Sequence, residues 1–392
     1  MRKIFSAFLI LSVLLSALTL FTFASDDESS LEDMTAGAEE ICKSVKSAVL
    51  MDATTGRVIY EKEGATALPP ASVTKVMTLL LVAEAIENGS IAADQRVTVS
   101  THAASMGGSQ VFLKEGEEFS VEELLKCAVI ASANDASVAL AELVGGTEES
   151  FVAMMNDRAA ELGLKSSYFE NCTGLDDDVE RHLLSAIDIA TLSRELISHP
   201  IILKYSCLWQ DSIRDGDFIL TNTNRLVRYY KGCTGLKTGS TDKAGFCVSA
   251  TAEREGMHLI AVVMGAETRE DRNECARALL DFGFAGYSLY TDPECDLEQV
   301  PVNKGSRVFV TVKKEAFYTL IKRSDTSSIE KRYTIPNSVD APFAEGDIVG
   351  LVEYFVGDTK LGECNIIVTE SAEKISLIDV FLSILGVIIS GK

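Results

Sequence analysis

The segment between Pro69-Pro70 and Gly89 sets the tightest limit on the fold. The two prolines end the extended chain before it, and the glycine closes it. Between them the pattern predicts a helix over 72–88 that is apolar almost all round, with Val76, Met77, Leu79, Leu80, Leu81 and Val82. Such a helix has no wet face, so it belongs inside a domain. Lys75 enters the same apolar interior, which favours its neutral form.

The flanking sequence supplies the layers. Residues 47–52 and 58–61 read as strands around the turn 53–56. Helical periodicity runs over 121–131, 137–143, 149–162 and 186–198. Residues 245–252 and 257–265 form an apolar hairpin around Glu255-Gly256, and 271–284 reads as a helix packing back on it. Strands therefore bracket a helical middle, an α+β arrangement. Near Tyr287 the character changes to short strands and turns, clearest at 306–312, 348–355 and 364–368, which predicts a second, β-rich domain.

Both ends look specialised. Arg2 and Lys3 precede an apolar run over 4–23, Thr22-Phe23-Ala24 offers small residues at the two positions a signal peptidase reads, and an acidic stretch comes next; this predicts an export signal cleaved after Ala24. In 375–389, polar residues at 376, 379, 383 and 386, continued by Ser390, recur at three- and four-residue steps, leaving a narrow polar stripe on an apolar body. Fifteen helical residues span roughly 22 Å, too short to cross a bilayer upright, so the expectation is an interfacial anchor.

A net charge of −22 argues against nucleic acid as a partner. The nine cysteines are odd in number and contain no CxxC pair, so neither zinc nor any other cofactor is expected. Cys127 and Cys247 sit in apolar runs and read as core residues; pairing among the others stays open.

Four serines occupy an SxxK frame: Ser72, Ser240, Ser328 and Ser371. Only Ser72 begins the apolar helix. There Ser72 and Lys75 share one helix face, and the free N–H groups of a helix start suit a developing oxyanion. A neutral lysine can take the serine proton. Ser132-Ala133-Asn134, the sole SxN, falls on a turn between two helices, where a hydroxyl can relay a proton and an amide can grip a peptide. Lys237-Thr238-Gly239, the sole KTG, leads into the hairpin; strand geometry sends Lys237 and Gly239 to one face, and the glycine permits close backbone approach.

SxxK, SxN and KTG in this order resemble the signature of penicillin-recognising serine acyltransferases. The chain is similar in particular to low-molecular-mass penicillin-binding proteins, which are serine-type D-alanyl-D-alanine carboxypeptidases. The stretches 70–78, 132–136, 171–176, 223–226 and 237–245 carry the likeness. It implies a transpeptidase/β-lactamase-like domain, an antiparallel sheet with a helical subdomain, followed by a small β-sandwich-like domain and an amphipathic C-terminal helix. The implied boundaries are 1–24 for the signal, 25–43 for an acidic linker, 44–285 for the catalytic domain, 286–370 for the β domain and 371–392 for the anchor.

The resemblance also implies roles. Ser72 is the nucleophile, Lys75 its base, and Ser132 the proton relay to the leaving D-alanine. Asn134, Lys237, Thr238, Gly239 and Ser240 bind substrate, with the N–H groups of Ser72 and Ser240 as the oxyanion hole. The implied partners are peptidoglycan stem peptides, β-lactams and the outer membrane surface. Ser240 stands where many relatives carry histidine, which bears on rate and not on reaction class. Three alternatives stay open at this point. A D,D-endopeptidase uses the same chemistry; a β-lactamase needs a second carboxylate, usually in an ExxLN stretch, which is absent between SxN and KTG; a non-catalytic wall-binding protein would not need intact motifs.

Overall fold

The computed structural model describes residues 36–376 apart from 178 and 327, together with 378 and 381. The expected export signal, the linker as far as residue 35 and most of the expected anchor helix lie outside the described residues. No described helix is long and apolar enough to cross a membrane. The chain divides after Gly286 into two compact units.

The first unit is built on a five-stranded antiparallel sheet. Its strands are β1 (Ser47–Asp52), β2 (Val58–Lys62), β3 (Cys233–Thr241), β4 (Gly245–Arg254) and β5 (Met257–Ala266), in the spatial order β2-β1-β5-β4-β3. Central β5 is apolar along nearly its whole length because both its faces are covered. Ile260, Val262 and Met264 join the large helical core, whereas Leu259, Ala261 and Val263 bury on the opposite face.

Helix α1 (Lys75–Glu87) is the predicted central helix, buried without interruption from Lys75 to Ala83. It packs on α2 (Val121–Ile130), α3 (Asn134–Gly145) and α4 (Ala186–Leu196), and α4 in turn packs on β1 and β5. Side-chain caps fix the starts of α2 and α4: a capping box of Ser120 with Glu123, and Ser185 accepting from the Asp188 amide. Helix α5 (Arg269–Gly286) packs on β4 and β5, and the disulfide Cys42–Cys275 ties it to the chain before β1. Cys127 and Cys247 are buried free thiols, as expected of core residues.

Three local differences from the sequence reading matter for the site. The α-helix starts at Lys75, and Ser72 sits on a separate 3-10 turn, Ala71–Thr74. Helix α3 begins at Asn134, earlier than the expected 137, so Asn134 belongs to a helical first turn. The KTG triplet lies inside its own edge strand β3. Glycines 235 and 239 and the polar run 237–241 hide the alternation that would mark that strand.

In the second unit, a two-stranded sheet pairs β6 (Tyr287–Asp292) with β9 (Phe317–Lys322). The main sheet contains β7 (Cys295–Asn303), β8 (Phe309–Lys314), β10 (Ile329–Thr334), β11 (Ile348–Val356) and β12 (Thr359–Val368), with the short strand Val339–Asp340 at its edge. Its core gathers Val300, Val310, Val312, Phe317, Val352, Tyr354, Ile366 and Val368. The molecule is thus an α+β unit followed by a small β-rich one.

Candidate active site

The three motifs come from separate elements and meet at one cleft. The 3-10 turn before α1 brings Ser72, the α2–α3 turn brings Ser132, and β3 brings Thr238, Gly239 and Ser240. These five line a cavity of about 420 Å³, together with Ser109, Trp209, Thr221, Asn222, Thr223 and three arginines. Lys75, Asn134 and Lys237 stand behind that lining, at most 2% exposed.

Lys75 is the hub. Its Nζ lies 3.2 Å from Ser72 Oγ, 2.5 Å from Asn134 Oδ1 and 2.7 Å from the Thr173 carbonyl oxygen. Burial pushes its amine down to about 7, opposed only in part by the Cys172 thiol and the Asp135 carboxylate. A neutral amine has two hydrogens and one lone pair. The two carbonyl-type acceptors take the hydrogens, which leaves the lone pair for Ser72.

Lys237 organises the other side. Its Nζ donates to Ser132 Oγ at 2.7 Å and to the Thr238 carbonyl at 2.9 Å. Its amine is also held well below its ordinary value, first by burial and then by the charge of Lys75. Ser132 is held at φ 62, a left-handed conformation unusual for serine, which aims its hydroxyl into the cleft. Thr238 Oγ1 donates to Thr223 Oγ1 at 2.8 Å.

Gly239 explains the glycine of KTG. A Cβ built there would stand 2.8 Å from both the Ser72 nitrogen and the Pro70 carbonyl oxygen. Any side chain would therefore part β3 from the nucleophile. Gly174 plays the same part behind Lys75: its φ is +82, and a Cβ would collide with the Ala71 carbonyl oxygen at 1.8 Å.

The Asn134 amide is held from both ends beside Lys75. Its Oδ1 is taken by Lys75 and its Nδ2 donates to the Gly107 carbonyl at 2.7 Å. Buried Asp135 next to it accepts from the Val111 and Leu113 amides, fixing the loop that offers Gly107 and Ser109.

Sequence reasoning assigned no role to Asn171, Thr173 or Gly174, although they lie in a stretch that carries the family likeness. Asn171 Oδ1 accepts from the Thr173 and Gly174 amides and so shapes the loop whose carbonyl meets Lys75. Arg225, Arg269 and Arg272 were also missed; Arg269 and Arg272 sit in an ordinary-looking charged helix start.

Comparison with known proteins agrees with this geometry. Residues 33–268 match the D-alanyl-D-alanine carboxypeptidase family, and residues 292–374 match the C-terminal domain of penicillin-binding protein 5. The chain is 39% identical over 377 residues to the D-alanyl-D-alanine carboxypeptidase DacF of Bacillus subtilis, covering 94% of this chain and 96% of the relative. Among solved structures it is similar to penicillin binding protein 5 from Haemophilus influenzae, with a TM-score of 0.75, 28% identity and coverage of 84% of this chain and 98% of the other. Penicillin-binding protein D2 from Listeria monocytogenes in its ampicillin-bound form is 32% identical, with a TM-score of 0.57, covering 62% of this chain and 97% of the other.

Proposed function

The chain belongs to the D-alanyl-D-alanine carboxypeptidase family, and from that premise we propose that Ser72 is the acylated nucleophile and Lys75 its general base. The protein is a serine-type carboxypeptidase that acts on peptidoglycan peptides and binds β-lactams. The observation that carries the assignment of roles is the place of Lys75 Nζ, 3.2 Å from Ser72 Oγ and fixed there by two carbonyl-type acceptors.

The Ser72 hydroxyl gives its proton to Lys75 Nζ while Oγ attacks the carbonyl carbon of the penultimate D-alanine. The oxyanion forms against the Ser72 and Ser240 backbone N–H groups, which the close approach at Gly239 brings together. Ser132, held by Lys237, relays the Ser72 proton: its own hydrogen goes to the departing amine nitrogen as the C–N bond breaks, and the proton taken up by Lys75 replaces it. The terminal carboxylate of the substrate meets Thr238 and the buried guanidinium of Arg272, with Lys237 behind them. Water then releases the shortened peptide.

Among the described residues, none that lines the cleft is acidic. A carboxylate that would activate water quickly against a penicilloyl ester is therefore missing from the lining, which supports slow release of β-lactams over β-lactamase action. The test is direct. The protein should release D-alanine from a peptide ending in two D-alanines and take up labelled penicillin covalently; uptake by Ser72→Ala would remove the nucleophile assignment.

We further propose that the enzyme is exported and held on the outer face of the cytoplasmic membrane. The basic-apolar N-terminus and the amphipathic stripe over 375–389 support this, and the Cys42–Cys275 disulfide suits an oxidising compartment. A chain ending before Ser371 should leave the membrane fraction; retention there would sink the anchor.

A further inference from the structure

Some arginines in this acidic chain lie over aromatic rings, such as Arg181 and Arg228, and some pair with carboxylates: Arg158 with Glu84, Arg214 with Glu117 and Arg254 with Asp281. Among the described residues, Arg225, Arg269 and Arg272 make no ion pair with any acidic side chain. Arg272 is 3% exposed, and its guanidinium donates through Nε and Nη2 to Asn273 Oδ1. Burial lowers it to about 10 and the charge of Arg269 pushes the same way; Cys247 and Glu270 oppose this, and Arg225 adds the smallest push downwards.

The flanking two are exposed and stand at different points along the KTG strand. Arg269 lies 6.0 Å above the ring of Phe246, the residue paired with Ser240. Arg225 comes after the loop whose Thr223 hydroxyl receives Thr238. One substrate carboxylate answers Arg272. Two further cations then remain in the same cleft, both repelling Arg272 until a second anion enters.

We propose that Arg225 and Arg269 form a second anion subsite, so that the cleft takes stem peptides bearing a carboxylate besides the terminal one. The inference rests on the acyl-transfer reading of the cleft and names its substrate class. The extra carboxylate has two possible sources. It belongs either to the residue before the D-alanine pair or to a leaving residue larger than alanine, as when the scissile bond is a cross-link to a diacid. A cavity of about 420 Å³ is of the size that holds a drug-like ligand.

Three peptides separate the cases: a reference with glutamine before two D-alanines, its glutamate analogue, and a peptide ending in D-Ala-D-Glu. The wild-type protein should prefer at least one acidic peptide by about tenfold in kcat/KM over the reference, the size expected of one charge-assisted contact. The preference should fall to near one in the Arg225→Gln/Arg269→Gln double variant and partly return with lysine at both positions. It should also shrink with added salt. A preference for the glutamate donor places the subsite on the acyl side, and one for the D-Glu terminus places it on the leaving side; either supports the inference. Equal rates on all three peptides, or a preference that survives the double variant, overturns it while leaving carboxypeptidase action standing. Failure to turn over any of the three overturns both.

Discussion

Gly239 approaches the Ser72 amide so closely that a β-carbon would stand 2.8 Å from that nitrogen. This contact sets the spacing between the strand that aligns substrate and the nucleophile that attacks it. Gly239→Ala should therefore fold but acylate slowly. A shift of about 1 Å at a reacting centre costs on the order of a hundredfold, so the second-order rate with labelled penicillin should drop by about that factor. The thermal midpoint should move little, because β3 is an edge strand that can ease outwards. Unchanged acylation would show that the Ser72–Ser240 amide pair is not the oxyanion hole.

The depressed amine of Lys75 predicts the acid limb of the pH profile. Burial lowers it to about 7, so it is protonated and inactive below that value and free to accept a proton above it. kcat/KM for D-alanine release should rise about tenfold per pH unit up to about 7 and then level off. His182 does not confuse the limb, since burial lowers it to about 4. Lys75→Arg should lose activity at every pH tested, because a guanidinium does not give up its proton in this range. A profile flat from pH 5 to 8 would contradict the base assignment.

Much of this site was legible because its chemistry uses residues that are odd for their surroundings. Lys75 stands out in an apolar helix, and Ser72 and Lys75 needed only helix periodicity to be placed together. The SxN and KTG segments gained meaning from order and setting. The hidden parts share a physical cause. Thr173 and Gly107 act through backbone carbonyls, which carry no side-chain signature. The contact of Asn134 with Lys75 was hidden because it depends on the helix starting at Asn134, which turns its amide towards the lysine. Arg269 and Arg272 came into view only when tertiary folding set α5 beside β5 and β4, the strand next to β3. The β-rich character of the second unit was plain, whereas its buried charges, spread over strands distant in sequence, were not.

The Cys42–Cys275 disulfide closes a loop of 233 residues around the sheet of the first unit. By chain entropy alone a closure of that length is worth about 5 kcal/mol, and engineered or removed bridges commonly return less. Cys42→Ser/Cys275→Ser should lower the stability of the first unit by about 3–5 kcal/mol by this reasoning, read as a shift of the urea midpoint accompanied by loss of penicillin binding. Reductant should reproduce the shift in the parent protein and leave the double variant unmoved. A double variant as stable as the parent would mean that packing of α5 on β4 and β5 holds that end without the bridge.

In the second unit, Asp292 joins strands that are far apart in sequence. Its Oδ2 accepts from the Tyr354 hydroxyl at 2.6 Å and pairs with Lys331 at 2.9 Å and with Lys314 at 3.0 Å. Lys314 is 1% exposed, and its remaining hydrogens reach the Asp292 and Pro293 carbonyls. Burial alone would raise the Asp292 carboxyl, but the tyrosine and the two lysines outweigh it and bring it down to about 2. A depressed carboxyl contributes stability that is fully present above its unfolded value near 4 and is lost as pH falls towards about 2. Asp292→Asn should flatten that acid dependence. It should also cost about 3–5 kcal/mol at neutral pH, since it strands the buried Lys314 charge. Calorimetry of the intact protein should then show the β-rich unit melting earlier, with D-alanine release at 25 °C unchanged. An Asp292→Asn protein that melts as the parent does would show that the Asp292 and Pro293 carbonyls satisfy Lys314 by themselves, and that the cluster directs strand pairing without stabilising it.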